Sequence, residues 1–204
     1  MNETLFEQIN AYARETPWLH PLITAYAGYG VSVFALLLGA GWWSARRSGE
    51  PRRMAAAVCA GAATLLAVGI NQPIVDAVHE ARPYSDHPTA LVLATRSTDF
   101  SFPSDHAVMA GAVAVGLLFV SGRLAALAGV AALAMAFARV YIAAHYPADV
   151  AVGLLLGAAV AGVVYLVAHR VTTAAVTALV DRGSPLRPLL TAAPPKPAGT
   201  GSPR

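Results

Sequence analysis

The chain has 204 residues, 56% of them hydrophobic and only 12% charged, about half the charge of an ordinary soluble domain. That balance excludes a disordered protein, a coiled coil and a typical soluble enzyme, and it points to a chain that uses lipid as its solvent. The net charge of +3 is small and the basic residues are not interleaved with aromatics, which argues against a nucleic-acid partner.

In chain order, residues 1–20 read as an amphipathic helix lying at a membrane interface. Leu5, Ile9 and Tyr12 recur at three- or four-residue steps among polar neighbours. The stretch is acidic and lacks a basic start and a small-residue cleavage site, so it does not read as a signal peptide. Five apolar segments follow: Pro21–Trp43, Met54–Val75, His106–Val120, Leu124–Ala144 and Val150–Ala168. A membrane span needs about 20 apolar residues, so the third is short. The expected fold is an all-α, polytopic membrane bundle of about five transmembrane helices over residues 21–181. The Pro-, Gly- and Ser-rich stretch 182–204 reads as a disordered tail. The single cysteine, Cys59, lies in an apolar run and forms no internal disulfide.

Thirteen of the 14 basic side chains are arginine, and Lys196 is the only lysine. Five spans put Arg46, Arg47, Arg52 and Arg53, then Arg123, then Arg170, Arg182 and Arg187 on one side. By the positive-inside rule that side is the cytoplasm. The chain then reads as a multi-pass cell-membrane protein whose loop 80–105 and turn 144–148 face outward.

The polar residues that hydrocarbon should exclude collect on that outward side in three clusters. The first is Glu80-Ala-Arg82-Pro83-Tyr84. The second, Phe102-Pro103-Ser104-Asp105-His106, opens the third span, with Ser104 as an N-cap. A helix start of this kind attracts anions, although a plain helix start beside a surface histidine is the simpler reading of this cluster alone. The third cluster is Arg139, His145 and Asp149. An arginine inside an apolar span is costly and marks function more often than not; snorkelling to the interface is the bland alternative. Asp149 falls in the first turn of the fifth span and reaches back to His145, fixing its tautomer, unless it only caps the helix. Two arginines, two histidines, a serine at a helix start and one carboxylate suit phosphoryl transfer without a metal. The arginines neutralise the phosphoryl oxygens, one histidine attacks phosphorus and the other protonates the leaving oxygen. Asp76, His79, Glu80, Asp86 and His87 are the competing metal-ligand set, but they lack a zinc-type spacing. No cofactor is expected.

The three clusters, in this order, resemble the signature of the type 2 phosphatidic acid phosphatase family: Lys-x6-Arg-Pro, Pro-Ser-Gly-His and Ser-Arg-x5-His-x3-Asp. The matching residues are Arg82-Pro83, Pro103-Ser104-x-His106 and Arg139-x5-His145-x3-Asp149. Val75 stands where the motif has its lysine, Asp105 replaces the glycine, and Ala138 replaces the serine. Arg96 is a candidate for the missing charge, and Asp105 should weaken anion binding unless an arginine pairs with it. The resemblance implies a helical bundle, no metal requirement and a membrane lipid phosphate as substrate. It implies His145 as nucleophile, Asp149 as its orienter and His106 as acid, with Arg82, Ser104 and Arg139 holding phosphate. Undecaprenyl diphosphate is the first substrate to consider, and phosphatidic acid or phosphatidylglycerophosphate the next. A non-catalytic lipid-binding protein that kept the fold is the alternative class.

Overall fold

The computed structural model describes residues 2–192. Its helices are α1 (Asn2–Glu15), α2 (His20–Tyr29), α3 (Val31–Ser48), α4 (Pro51–Val78), α5 (Pro83–Asp86), α6 (Asp105–Leu118), α7 (Gly122–Tyr141), α8 (Pro147–Asp181) and α9 (Arg187–Leu190). Among the described residues there is no strand.

The short helix α6 is the axis of the bundle, flanked by α8, α4 and α7. Ala107, Val108, Ala110, Ala112, Val113 and Leu117 are all buried on it, so it is apolar all round rather than amphipathic, as a fully enclosed helix must be. Its neighbours approach closely because small residues line the seam. A Cβ on Gly157 of α8 would collide with the Val108 carbonyl of α6, and one on Gly153 would lie 2.9 Å from the Ser104 carbonyl. Small-residue seams of this kind are how helices associate where lipid removes the hydrophobic drive.

The outer faces are apolar too. Leu65, Leu133, Leu155 and Leu166 stand more than two-thirds exposed on α4, α7 and α8. Such a belt is intolerable in water and natural in lipid. α4, α7 and α8 are each long and apolar enough to cross a membrane.

One of the expected spans needs correction, and a second is short, as its sequence indicates. The first is not one straight helix: α2 and α3 meet at Gly30 with a bend of 54° and make a fourth crossing only as a pair. The third, α6, has 14 residues and measures about 21 Å at 1.5 Å per residue, short of a bilayer core of about 30 Å. Its middle, from Ala107 to Leu117, is enclosed by α4, α7 and α8, and irregular backbone at depth is stable where it lines a cavity.

The N-terminal helix packs on the bundle through one face, with Ile9 at its border. Phe6, Asn10 and Ala13 are buried, whereas Leu5 and Tyr12 are each 45% exposed. Asn10 exchanges two hydrogen bonds with the backbone of Leu91. This ties α1 to the loop that precedes α6. Of the stretch read as a disordered tail, residues 187–190 form α9, and the Leu189 carbonyl accepts the Trp42 indole N–H at 3.1 Å. Residues 193–204 lie outside the described residues.

Candidate active site

The loop 87–104 and the ends of α4, α6 and α7 enclose a cavity of about 630 Å³. Arg82, His106, Arg139 and His145 line it together, although 63 residues separate the first from the last in the chain. Local backbone geometry explains the third cluster. α7 closes on Ala143, a left-handed residue with φ 61°, and the N–H groups of Ala144 and His145 both return to the Arg139 carbonyl. The turn folds His145 back over the arginine six residues earlier.

His145 is 3% exposed, and its two nitrogens face different partners. Nδ1 lies 2.8 Å from the Ser101 carbonyl, which only accepts, so Nδ1 carries the proton. Nε2 lies 3.2 Å from an Arg82 nitrogen and 3.2 Å from an Arg139 nitrogen. Guanidinium groups only donate, so Nε2 holds its lone pair toward the cavity. Burial pushes the His145 pKa down to about 4; the hydrogen bond to Asp149 opposes the shift, and Arg139 and Arg82 add to it. The ring is therefore neutral near pH 7, the form in which Nε2 is nucleophilic.

Asp149 is fully buried, and it acts on His145 less directly than its spacing suggested. Its carboxylate is 3.5 Å from Nδ1. Oδ2 accepts the Tyr146 backbone N–H at 2.8 Å and the Ser101 hydroxyl. Asp149 thus caps α8 and holds His145 at once, and the two readings of this residue are not exclusive. Ser101 is the residue that the spacing argument missed. It is fully buried; its carbonyl fixes the imidazole and its hydroxyl bridges to Asp149. A serine three residues before Ser104 carries no signal of its own in a single sequence.

Arg82 is held by its own donors. Nε reaches the Asp99 carbonyl at 3.0 Å and Nη1 the Ala144 carbonyl at 3.0 Å. Arg139 keeps a buried Nε with no protein acceptor.

Two expectations for the second cluster, and one for the missing lysine of the first, need correction. Ser104 occupies the N-cap position of α6, but its side chain makes no capping bond; its hydroxyl is buried without a protein partner, and the residue is not among those lining the cavity. Asp105 pairs with amides, not with an arginine: its Oδ1 accepts from Asn71 at 2.7 Å and from Gln72 at 2.9 Å. Arg96 does not take the place of the lysine, because its guanidinium lies over the Tyr84 ring at 5.5 Å while Val75 lines the cavity.

The competing metal-ligand residues are dispersed. His79 packs on Phe100, His87 on Phe6 and Tyr146, and Asp86 accepts the Tyr146 hydroxyl at 3.2 Å. Among the described residues no three His, Cys, Asp or Glu side chains converge on one point.

Residues 56–173 match the PAP2 superfamily. The chain belongs to that family. It is 28% identical over 165 residues to the undecaprenyl-diphosphatase BcrC of Bacillus subtilis, covering 81% of this chain and 82% of that one. It is 38% identical over 116 residues to the decaprenylphosphoryl-5-phosphoribose phosphatase of Mycobacterium tuberculosis, covering 56% and 62%. The fold also matches the crystal structure of a PAP2 type phosphatidylglycerolphosphate phosphatase from Bacillus subtilis, with a TM-score of 0.53 at 20% identity, over 79% of this chain and 83% of that one. The bundle with its buried histidine is thus a PAP2 membrane phosphatase fold.

Proposed function

We propose that this PAP2 protein removes a terminal phosphate from a polyprenyl-type membrane lipid, without a metal, at the outer face of the membrane. The observation that carries the reading is the setting of His145 Nε2, a lone pair aimed into a cavity between two guanidinium groups. Arg82 and Arg139 hold the phosphoryl oxygens and neutralise the charge that builds in the transition state. The buried hydroxyl of Ser104 backs the helix start that faces the anion. Nε2 forms a bond to phosphorus while the bond from phosphorus to the leaving oxygen breaks. His106 delivers a proton to that oxygen. Water then attacks the phosphohistidine, giving its proton to His106, and inorganic phosphate leaves with Nε2 restored.

The names of the relatives support two substrates for assay, undecaprenyl diphosphate and decaprenylphosphoryl-5-phosphoribose carrying its phosphate. The test is phosphate release by detergent-purified protein in EDTA, with His145→Ala and Arg82→Lys alongside. His145→Ala should fall to background. Arg82→Lys keeps the charge but loses the planar fork that serves two carbonyls and the phosphate together, so kcat/KM should drop about tenfold or more. Release that survives in His145→Ala, or that EDTA abolishes and zinc restores, would overturn the mechanism.

A further inference from the structure

The cavity is much larger than one phosphoryl group requires, and its charge is not uniform. Its inner end is cationic, with Arg82 and Arg139 around His145. The side reached from α4 and the start of α6 carries the Asp76 and Asp105 carboxylates, Gln72 and the apolar Val75. Thr95, Ser97 and Thr98, all exposed, add hydroxyl-bearing positions to the lining.

Asp105 is exposed, but two amides hold its carboxylate in place. The Asn71 amide that holds its Oδ1 is itself fully buried, and the same amide nitrogen also donates to the Pro103 carbonyl at 3.0 Å. With Gln72 on the same oxygen, the carboxylate is fixed beside His106, the residue placed at the leaving oxygen. Its other oxygen, Oδ2, takes no part in these bonds. The described cationic side chains of the cavity lining, Arg82 and Arg139, are both engaged at His145.

Resting on the phosphatase reading above, we propose that the leaving group is a neutral, hydroxyl-bearing unit such as a sugar or glycerol, and not a second phosphate. A diphosphate would place its remaining anionic phosphate on the side that carries the Asp105 and Asp76 carboxylates, and like charges at close range repel. A polyol presents O–H donors there instead, which a fixed carboxylate and the Gln72 carbonyl accept. A polyol also carries any second anion of the lipid one sugar or glycerol length away from the reacting phosphate. The chemistry of the step is unchanged: the alcohol oxygen departs with the proton from His106.

The experiment compares kcat/KM of the purified full chain on a polyprenylphosphoryl-pentose phosphate, phosphatidylglycerophosphate, a polyprenyl diphosphate and phosphatidic acid. The last has neither a hydroxyl nor a second charge on its leaving group. The wild type should prefer one of the two polyol substrates to the diphosphate by about tenfold or more, and which of the two leads separates sugar from glycerol. Asp105→Asn keeps the acceptor for Asn71 and Gln72 while removing the charge. It should lower the polyol rate, raise the diphosphate rate and cut the ratio about tenfold. Asp76→Asn should move the ratio the same way. A wild type that favours the diphosphate or treats phosphatidic acid as well as the polyols, or variants that leave the ratio unmoved, would overturn this inference and leave the phosphatase reading standing. No His145-dependent release from any of the four would remove both.

Discussion

The imidazole of His145 has a carbonyl on one nitrogen and two guanidinium groups on the other, and each partner dictates which nitrogen carries the proton. Residue-scale predictions start from that arrangement. With its pKa held down to about 4 by burial against about 6.5 in the unfolded chain, His145 takes up a proton on unfolding anywhere between those values. Its contribution to stability is therefore complete above about pH 6.5 and is lost as pH falls toward 4. The thermal midpoint of the wild type should drop more steeply over that window than that of His145→Gln. Parallel curves would mean the ring is not buried neutral. Ser101 supplies a second prediction. Ser101→Ala keeps the carbonyl that orients His145 but removes the hydroxyl bridge to Asp149. As a positioning residue it should lower kcat about tenfold with KM little changed, and Ser101→Thr should recover part of the loss. A rise in KM alone would place Ser101 at the substrate instead.

At the scale of elements, the seam between α6 and α8 sets the site, because α6 carries Ser104 and His106 while α8 carries Asp149. The Ser104 N–H donates to the Asp149 carbonyl at 3.2 Å across that seam. Two glycines on α8 separate packing from helix propensity. Gly→Ala ordinarily favours a helix by about 1 kcal/mol. Gly162 has open space around its missing Cβ, so Gly162→Ala should be neutral or stabilising. Gly157→Ala drives a methyl group into the Val108 carbonyl and should cost about 1–3 kcal/mol. Thermal unfolding in one detergent measures both. Equal midpoints would show that the helices part easily and that the close approach does not hold the site together.

For the whole molecule, the cavity and the arginine-rich loops lie at opposite ends of the bundle. The His169 ring reaches the Arg52 backbone at 3.1 Å, so the basic residues that precede α4 meet those late in α8. Charge asymmetry of this kind orients a membrane protein with its arginines in the cytoplasm. Cys59 is buried and is the only cysteine, so single-cysteine labelling needs one background change, Cys59→Ala. An impermeant maleimide should label Ser97→Cys in intact cells, and Glu50→Cys only after permeabilisation. The reverse pattern would invert the orientation and put the cavity on the cytoplasmic side.

Much of this was written in the sequence, for identifiable reasons. Apolar length and scarcity of charge specify helices in lipid, because backbone groups there have no other partner. The spacing of Arg139, His145 and Asp149 spans one helix end, one turn and one helix start, so local geometry alone brings them together. The sequence showed that the third apolar segment is short of a span, but not that α6 is the axis of the bundle, because that place rests on the packing of α4, α7 and α8 around it. Nor could it place Ser101 between His145 and Asp149, since that contact joins a loop to a helix 48 residues later. Asp105 is the clearest case. Its charge is visible in the sequence, but only the tertiary structure assigns it two amides from α4 rather than an arginine. Distance along the chain decides the difference: contacts within a turn follow from covalent geometry, and contacts between distant segments exist only once the bundle has closed.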